Sequence, residues 1–351
     1  MTEPSRNWIV SRDETVLVTG AGGFIGTRVV HTLLEYGFRH VRCFVRPSSN
    51  LTRLREVTAS RERGAAIEIV EGNLLKPEDC ARAAAGARVI FHLAAGTDKS
   101  FAGCFMNSVL TTRNLLDAAV SDGLLKRFVN VSSFAVYSND GKRGSLLDES
   151  APLENDSRRR HDPYGYGKLK QEQLVEKYHG TKGVPYVTLR PGAVFGPGRT
   201  SLSGRIGIDT FGIFLHMGGS KLIPLTYVDN CAEAIVLAGL VEGVDGHVFN
   251  VVDDRPPTSR QFLRLYKRHA GTFLSIPIPY LVAYFLSALW EDYSERSQGQ
   301  LPPRFNRRRC SAEWKGKRYS NEKLKRLLGW SPRVPFDQAY RLFFESLRGV
   351  N

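Results

Sequence analysis

The sequence predicts an α/β fold: a doubly wound parallel sheet with a smaller C-terminal substrate-binding lobe. Three observations carry this. Short β-branched apolar runs alternate with helix-spaced segments from about residue 14 to 196, the pattern of parallel strands joined by right-handed crossovers. A glycine triplet separates the first such run from the first helical segment. After about residue 197 the alternation weakens and Pro and Gly become frequent, until "HVFNVVDD" (247–254) returns to the sheet.

In order, "TVLVTG" (15–20) is a buried strand ending in Gly, and "FIGTRVVHTLLEYG" is a helix that stops at Gly37. "VRCFVRP" (41–47), "AIEIVEGN" (66–73) and "ARVIFHLAA" (87–95) are strands, with helices around 77–85 and 107–120. "RFVNVSSFAVY" (127–137) and "PYVTLRPGAVFG" (185–196) continue the sheet, with "YGKLKQEQLVEKYH" as the helix between them. The expected division is an N-terminal extension (1–13), a dinucleotide-binding domain (14–196 with about 225–254) and a substrate lobe (197–224 and 255–351). Such an open sheet binds its ligand at the carboxyl ends of the strands.

At 351 residues and 42% hydrophobic, the chain can bury a sizeable core, and 24% charged residues argue against disorder. Five cysteines (43, 80, 104, 231 and 310) are odd in number and scattered, with no metal-ligand spacing. That suits a reduced cytoplasmic protein, as does an N-terminus without an apolar signal core. The net charge of +14 attracts anions, from nucleotide cofactors to acidic lipid surfaces. Its densest cluster, "RFNRRRCSAEWKGKR" (304–318), carries no nucleic-acid-binding motif and reads as a solvated basic face.

"TGAGGFIG" (19–26) spaces Gly20, Gly23 and Gly26 three apart between strand and helix. Small residues there let backbone approach a pyrophosphate while the helix N-terminus offers free N–H groups. Phe24 and Ile25 complete this expected dinucleotide cradle. The second strand ends in Arg46 rather than an acidic residue, with Ser48 and Ser49 beyond it. Arginine suits a ribose 2′-phosphate, so NADP(H) is favoured over NAD(H). Asn73 and Leu74 end the third strand, where an amide can donate to and accept from an adenine edge.

Tyr-x-x-x-Lys sets a phenol and an ammonium on one helix face, and the ammonium lowers the phenol's pKa toward working pH. The pattern occurs three times: Tyr164/Lys168, Tyr178/Lys182 and Tyr319/Lys323. Gly180 interrupts the second, and the third lies far along the chain from the predicted strands. Tyr164/Lys168 follows the strand ending in Ser132 and Ser133, where ligand chemistry belongs; Tyr166 points off the shared face.

"TGAGGFIG", "GNL", "HLAA", "MNSVLTTRNLLDAA", "VSSFAVY", "YGYGK", "LRPGAVFGPG" and "YVDNCAEAIVLA" follow one another here in an order that resembles the extended short-chain dehydrogenases/reductases, the NAD-dependent epimerase/dehydratase superfamily. The likeness runs from about residue 14 to the end. It implies a Rossmann-type sheet, a homodimer and a catalytic trio of Ser133, Tyr164 and Lys168. Tyr164 would exchange a proton with a substrate oxygen that Ser133 orients. Lys168 would hold the nicotinamide ribose and tune Tyr164. By the same resemblance Leu93, Ala94 and Ala95 line the cofactor, Asn107 supports the site, and Ser132, Pro191, Ala193 and Val194 complete its nicotinamide end.

Two departures bear on the reaction. Ala193 stands where many nucleotide-sugar enzymes of the superfamily carry Asn, and Pro224 and Leu225 stand where they carry Arg. The motifs look more like the 3β-hydroxysteroid dehydrogenase and dihydroflavonol-reductase branches, which implies oxidoreduction of a secondary alcohol or ketone on a largely apolar small molecule. The rival is a nucleotide-sugar 4-epimerase or dehydratase, with Arg199, Arg205 and Lys221 as substitute phosphate contacts. A non-catalytic dinucleotide sensor is a third class, disfavoured because pure binding needs no tuned phenol. Just before Tyr164, "SRRRH" (157–161) reads as a solvated loop that could also meet an anionic substrate. "FLSIPIPYLVAYFLSALW" (273–290) is broken by Pro277 and Pro279, leaving too few residues for the roughly 20 that span a bilayer. Apolar on nearly all sides, it is expected in the core or the pocket wall, with peripheral membrane contact as the second reading.

Overall fold

The computed structural model describes residues 7–59, 65–138, 141–199, 204–210, 212–298, 300, 301, 303 and 305–348. Seven strands make one sheet: β1 (Val16–Thr19), β2 (His40–Val45), β3 (Ala66–Glu71), β4 (Val89–His92), β5 (Arg127–Val131), β6 (Tyr186–Pro191) and β7 (Val248–Val251). Every pairing is parallel, and the order across the sheet is 3-2-1-4-5-6-7. The order reverses between β1 and β4, so their carboxyl ends diverge into a crevice. This is a Rossmann-type sheet.

Helices cover both faces, which is why β1 and β4 are buried throughout and apolar up to their last residues, Thr19 and His92. On one face lie Phe24–Glu35 and Val228–Leu240, the latter buried almost along its whole length. It approaches so closely that a Cβ at Gly239 would sit 2.3 Å from the Phe91 ring. Pro77–Ala84, Thr111–Asp122 and Pro163–Lys182 pack on the other face against Leu17, Ile90 and Phe128. The last of these helices carries Tyr164 and Lys168. It is pinned to β6 by a buried pair in which Arg190 donates from Nε and from its terminal nitrogen to the two carboxylate oxygens of Glu172, at 3.0 and 2.6 Å. Removing one member of such a pair strands the other charge, at about 3–5 kcal/mol.

Beyond β6, Ala193–Phe195 pairs in parallel with Leu225–Tyr227. Gly207–Thr210, Ile213–His216 and Ser275–Pro277 form a small separate sheet. Helices Ser259–Ala270 and Phe336–Arg348 bring Phe262 and Phe343 into the main core. At the other end of the chain, Trp8 stacks on Phe38, and Ile9 N–H donates to the Leu240 carbonyl.

Four segments differ from the sequence reading. The 127–137 run stops as a strand at Val131, because Ser133 caps a short 3₁₀ turn, Phe134–Val136. The helix expected at 107–120 starts earlier: Phe101–Cys104 leads through a wide π-type turn, Phe105–Leu110, into Thr111–Asp122. A π-turn is common at functional sites, and this one carries Asn107. "SRRRH" is not simply a solvated loop, since Arg160 is buried, paired with Glu154 and Asp162, and donates to the Tyr137 carbonyl. The 280–290 stretch is helical (Tyr280–Arg296) but largely not core. Only Ala283, Ser287 and Ser294 are buried, while its large apolar side chains face outward.

Candidate active site

The glycine loop follows from β1 and the helix behind it. Gly20 takes the left-handed φ of +69°, and a Cβ there would press on the Ala94 backbone at 3.1 Å. Gly26 is more constrained, because its Cβ would lie 2.1 Å from the Gly20 carbonyl oxygen. Backbone thus packs on backbone, with Gly23 N–H donating to Gly20 and the Thr27 hydroxyl donating to Ala21. The Phe24–Glu35 helix has no side-chain cap and no acidic residue in its first turn. Its leading N–H groups and positive dipole end therefore suit a phosphate. Gly26→Ala should force the loop open and lower nicotinamide-dinucleotide affinity at least about tenfold, read by isothermal titration on protein whose melting curve remains cooperative.

A cavity of about 440 Å³ runs from this loop along the ends of β2, β3 and β4. Gly20, Gly23, Arg46, Asn73 and Leu74 line one side of it, and Leu93, Ala94, Ala95 and Asn107 the other. Ser48 and Ser49 join them. Arg46 is exposed at the β2 end. Asn73 spends its side-chain carbonyl on Leu75 N–H, so its amide nitrogen is what it offers an adenine edge. Asp79 holds this turn by accepting from Asn73 N–H at 2.8 Å. Asn107 donates to Asp98 at 2.9 Å. Phe24, Ile25 and Gly26 stand behind the loop rather than lining the cavity, and Ser132, Pro191, Ala193 and Val194 lie outside its lining too. Val194 packs in the main core, and the buried Ser132 hydroxyl has no hydrogen-bond partner among the described residues.

Ser133 and Tyr164 meet. The Ser133 hydroxyl accepts from Ala135 N–H at 3.2 Å and lies beside the Tyr164 phenol, close enough to draw its pKa down. Burial pushes that phenol above its usual range; the Ser133 hydroxyl and the Arg199 charge oppose this, and Asp162 and Cys104 add to it. The sequence reading assigned the tuning of Tyr164 to Lys168, but here Arg199 is the cation that acts on it most strongly. Lys168 is turned inward. Its Nζ donates to the Val131 carbonyl at 2.6 Å and to Gln171 at 2.9 Å. Burial, eased by Glu172, lowers its pKa to about 7.

Behind Lys168 runs a chain that the sequence did not disclose. Gln171 donates to Thr112 at 2.9 Å; Thr112 and Thr19 each lie 2.8 Å from one ring nitrogen of the buried His92. Burial, then the Lys168 charge, holds His92 near 3, so the ring is neutral. Thr19 also accepts from Ala94 N–H, joining Lys168 to the wall of the cofactor cavity. The only local clue was the three-residue step from Lys168 to Gln171; the remaining links span 20 to 75 residues.

Tyr164 opens on a second cavity, about 330 Å³, walled also by Asp98, Arg160, His161, Arg205 and Glu313. His161 holds a left-handed φ of +51° beside the helix start, the kind of strain that collects at working sites. A third cavity, about 510 Å³, shares His161, Pro163, Gly204, Arg309 and Glu313 with it and adds Ile208, Phe305 and Trp314. The basic 304–318 segment therefore contributes a wall as well as surface. Of the proposed phosphate contacts, Arg199 and Arg205 reach Tyr164's surroundings, whereas Lys221 lies against Gly316. The other two Tyr-x-x-x-Lys pairs are structural. Tyr178 and Lys182 both bind Asp117, while Tyr319, in a short strand paired with Leu146–Leu147, stacks on Phe134 and Lys323 lies over Phe249.

A Rossmann-type sheet with a phosphate cradle at its switch point defines a dinucleotide-binding α/β protein. The chain belongs to the NAD dependent epimerase/dehydratase family, which matches residues 16–251, and it is an enzyme. It is 27% identical to 3beta-hydroxysteroid-dehydrogenase/decarboxylase isoform 1 of Arabidopsis thaliana, over 96% of this chain and 80% of that protein. It is 31% identical to a 3-beta-hydroxysteroid dehydrogenase of Mycolicibacterium neoaurum, over 71% of this chain and 68% of that protein. Among solved structures, the UDP-glucuronic acid 4-epimerase of Bacillus cereus in complex with UDP-glucuronic acid and NAD superimposes with a TM-score of 0.72. It is 21% identical and covers 96% of this chain and all of that one, a likeness of fold.

Proposed function

We propose that the protein is an NAD(P)-dependent oxidoreductase acting on a secondary alcohol or ketone of a largely apolar small molecule, with Ser133, Tyr164 and Lys168 as its working residues. The observation that carries this is the Tyr164 phenol set beside Ser133 at the wall of a cavity that continues past His161 toward Ile208, Phe305 and Trp314. The glycine loop, whose tight backbone packing any added Cβ at Gly26 would break, fits a dinucleotide. A bound nicotinamide supplies or accepts the hydride. Burial keeps Tyr164 protonated, so in reduction its Oη gives a proton to the carbonyl oxygen. Ser133 steadies that oxygen and the phenolate left behind. In oxidation Tyr164 takes the hydroxyl proton back. Lys168, whose ammonium rests on the Val131 carbonyl and Gln171, is the group assigned on this reading to the nicotinamide ribose. The two hydroxysteroid dehydrogenase relatives support the substrate class.

The competing reading, nucleotide-sugar epimerisation, draws on Arg205 and Arg309 in the cavity walls. Nicotinamide absorbance separates the two. Steady oxidation or reduction with a panel of hydroxy- and ketosteroids supports the proposal. Inversion of a UDP-sugar without net change in cofactor overturns it.

NADP(H) is the preferred cofactor on this reading, because Arg46 lines the cavity where a 2′-phosphate would lie. A charge-assisted arginine–phosphate contact is worth about 1.5–3 kcal/mol. Arg46→Glu should therefore raise the NADP(H) dissociation constant roughly 10- to 100-fold and leave that for NAD(H) within a few-fold. Equal losses for both cofactors would assign Arg46 to adenine stacking instead.

A further inference from the structure

The Tyr280–Arg296 helix is inside out. Its buried line is Ala283, Ser287 and Ser294, all small. Its large apolar side chains point to solvent: Leu281 is 77% exposed, Phe285 62%, and Leu286 and Leu289 about half. The chain just before it extends the patch through Leu274 and Ile276. Contiguous exposed apolar surface of this kind marks an interaction site. No helix among the described residues is long and apolar enough to cross a membrane, so this face can only lie upon something.

The charges around it say what. On the strand side, Lys267 Nζ bonds Ser275 at 2.6 Å, and Arg264 and Arg268 are exposed on the same helix. At the far side stand Arg296 and Arg307, the latter paired with Glu291. The acidic Asp292 and Glu295 fall in the last turns, beyond the apolar stretch. The chain as a whole carries +14. An apolar helix face edged by cations and ringed with Tyr284, Trp290 and Tyr293 matches an anionic lipid surface, where aromatic rings sit at headgroup level.

We infer that the Leu274–Trp290 face docks the protein on the surface of an anionic bilayer. Ser287 and Phe305 both line the 510 Å³ cavity, so docking sets that cavity beside the lipid. On the reading given under Proposed function, an apolar substrate then reaches Tyr164 from the membrane rather than from water.

Flotation with phosphatidylcholine vesicles, with and without phosphatidylserine, tests the docking independently of any activity. The wild-type chain should float with the phosphatidylserine vesicles, less so at about 1 M salt, where screening is nearly complete. Phe285→Asp combined with Leu289→Asp should lower binding at least tenfold while leaving cofactor affinity unchanged. Trp314 and Trp330 are buried and the half-buried Trp8 is stacked on Phe38, so a blue shift in tryptophan emission on adding lipid should come from Trp290 and vanish in Trp290→Phe. Equal flotation of wild type and double variant overturns the inference. So does a dimer that the double variant splits, with no vesicle binding by the wild type, since the face would then belong to a second copy.

Discussion

Tyr164→Phe should lower kcat roughly 10²- to 10⁴-fold, the range a positioned acid or base contributes, while nicotinamide-dinucleotide affinity changes less than about threefold. The substitution removes one oxygen. The ring stays at the head of the Pro163–Lys182 helix, whose position is set by Asp162 capping Gly165 N–H and by the Arg190–Glu172 pair. What is lost is the proton at Oη and the phenol oxygen beside Ser133. Ser133→Ala should be milder, because it leaves the acid and removes only the partner that steadies it and the reacting oxygen. The pH profile separates roles further. Burial raises the Tyr164 pKa, so carbonyl reduction should hold steady through neutral pH and fall only in the alkaline range. A Tyr164→Phe protein that still turns over its substrate at the wild-type rate would move the acid elsewhere, and with it the whole site.

What could be read beforehand was local. The β1–loop–helix unit was legible because glycine spacing, a β-branched run and helical periodicity all demand the same geometry within about twenty residues. Ser133 and Tyr164 were legible because a strand end and a helix start fix where each side chain emerges. The Tyr280–Arg296 helix was not, since a segment apolar on every side gives no sign of which side faces the body. Only the small size of Ala283, Ser287 and Ser294 in one line hinted at the contact face. Arg160 was unreadable for a different reason. Whether an arginine in a charge run is solvated or clamped depends on Glu154 and the Tyr137 carbonyl, which tertiary folding brings to it. The same holds for His92, Thr112 and Gln171, each an ordinary polar residue until the sheet and two helices assemble them.

Lys168 offers the second large effect, and it is visible in stability as well as rate. Its ammonium is buried, with two oxygen partners and the Glu172 charge nearby. The folded-state pKa is about 7 against an ordinary 10.5. Between those values the unfolded chain holds a proton that the folded chain does not, so folding stability should rise with pH across the window, by up to about 1.4 kcal/mol per pH unit. Below about pH 7 both states hold the proton and the full cost of burying the charge remains. Lys168→Met deletes the titration. Measured by urea unfolding at pH 6.5, 8 and 9.5 (roughly spanning that window), the variant's stability relative to wild type should be greatest at the lowest pH and decline as pH rises. A constant offset from stranding the Gln171 and Val131 oxygens does not alter that trend. Turnover should nevertheless fall by at least about 10²-fold, because the group that the proposed function assigns to the ribose is gone. A pH-independent difference between the two proteins would mean that Lys168 is already charged and well solvated in the folded enzyme. A site that keeps a costly ammonium where methionine would pack more cheaply trades stability for chemistry, and that is the meaning the proposed function gives to a buried lysine one helical turn from Tyr164.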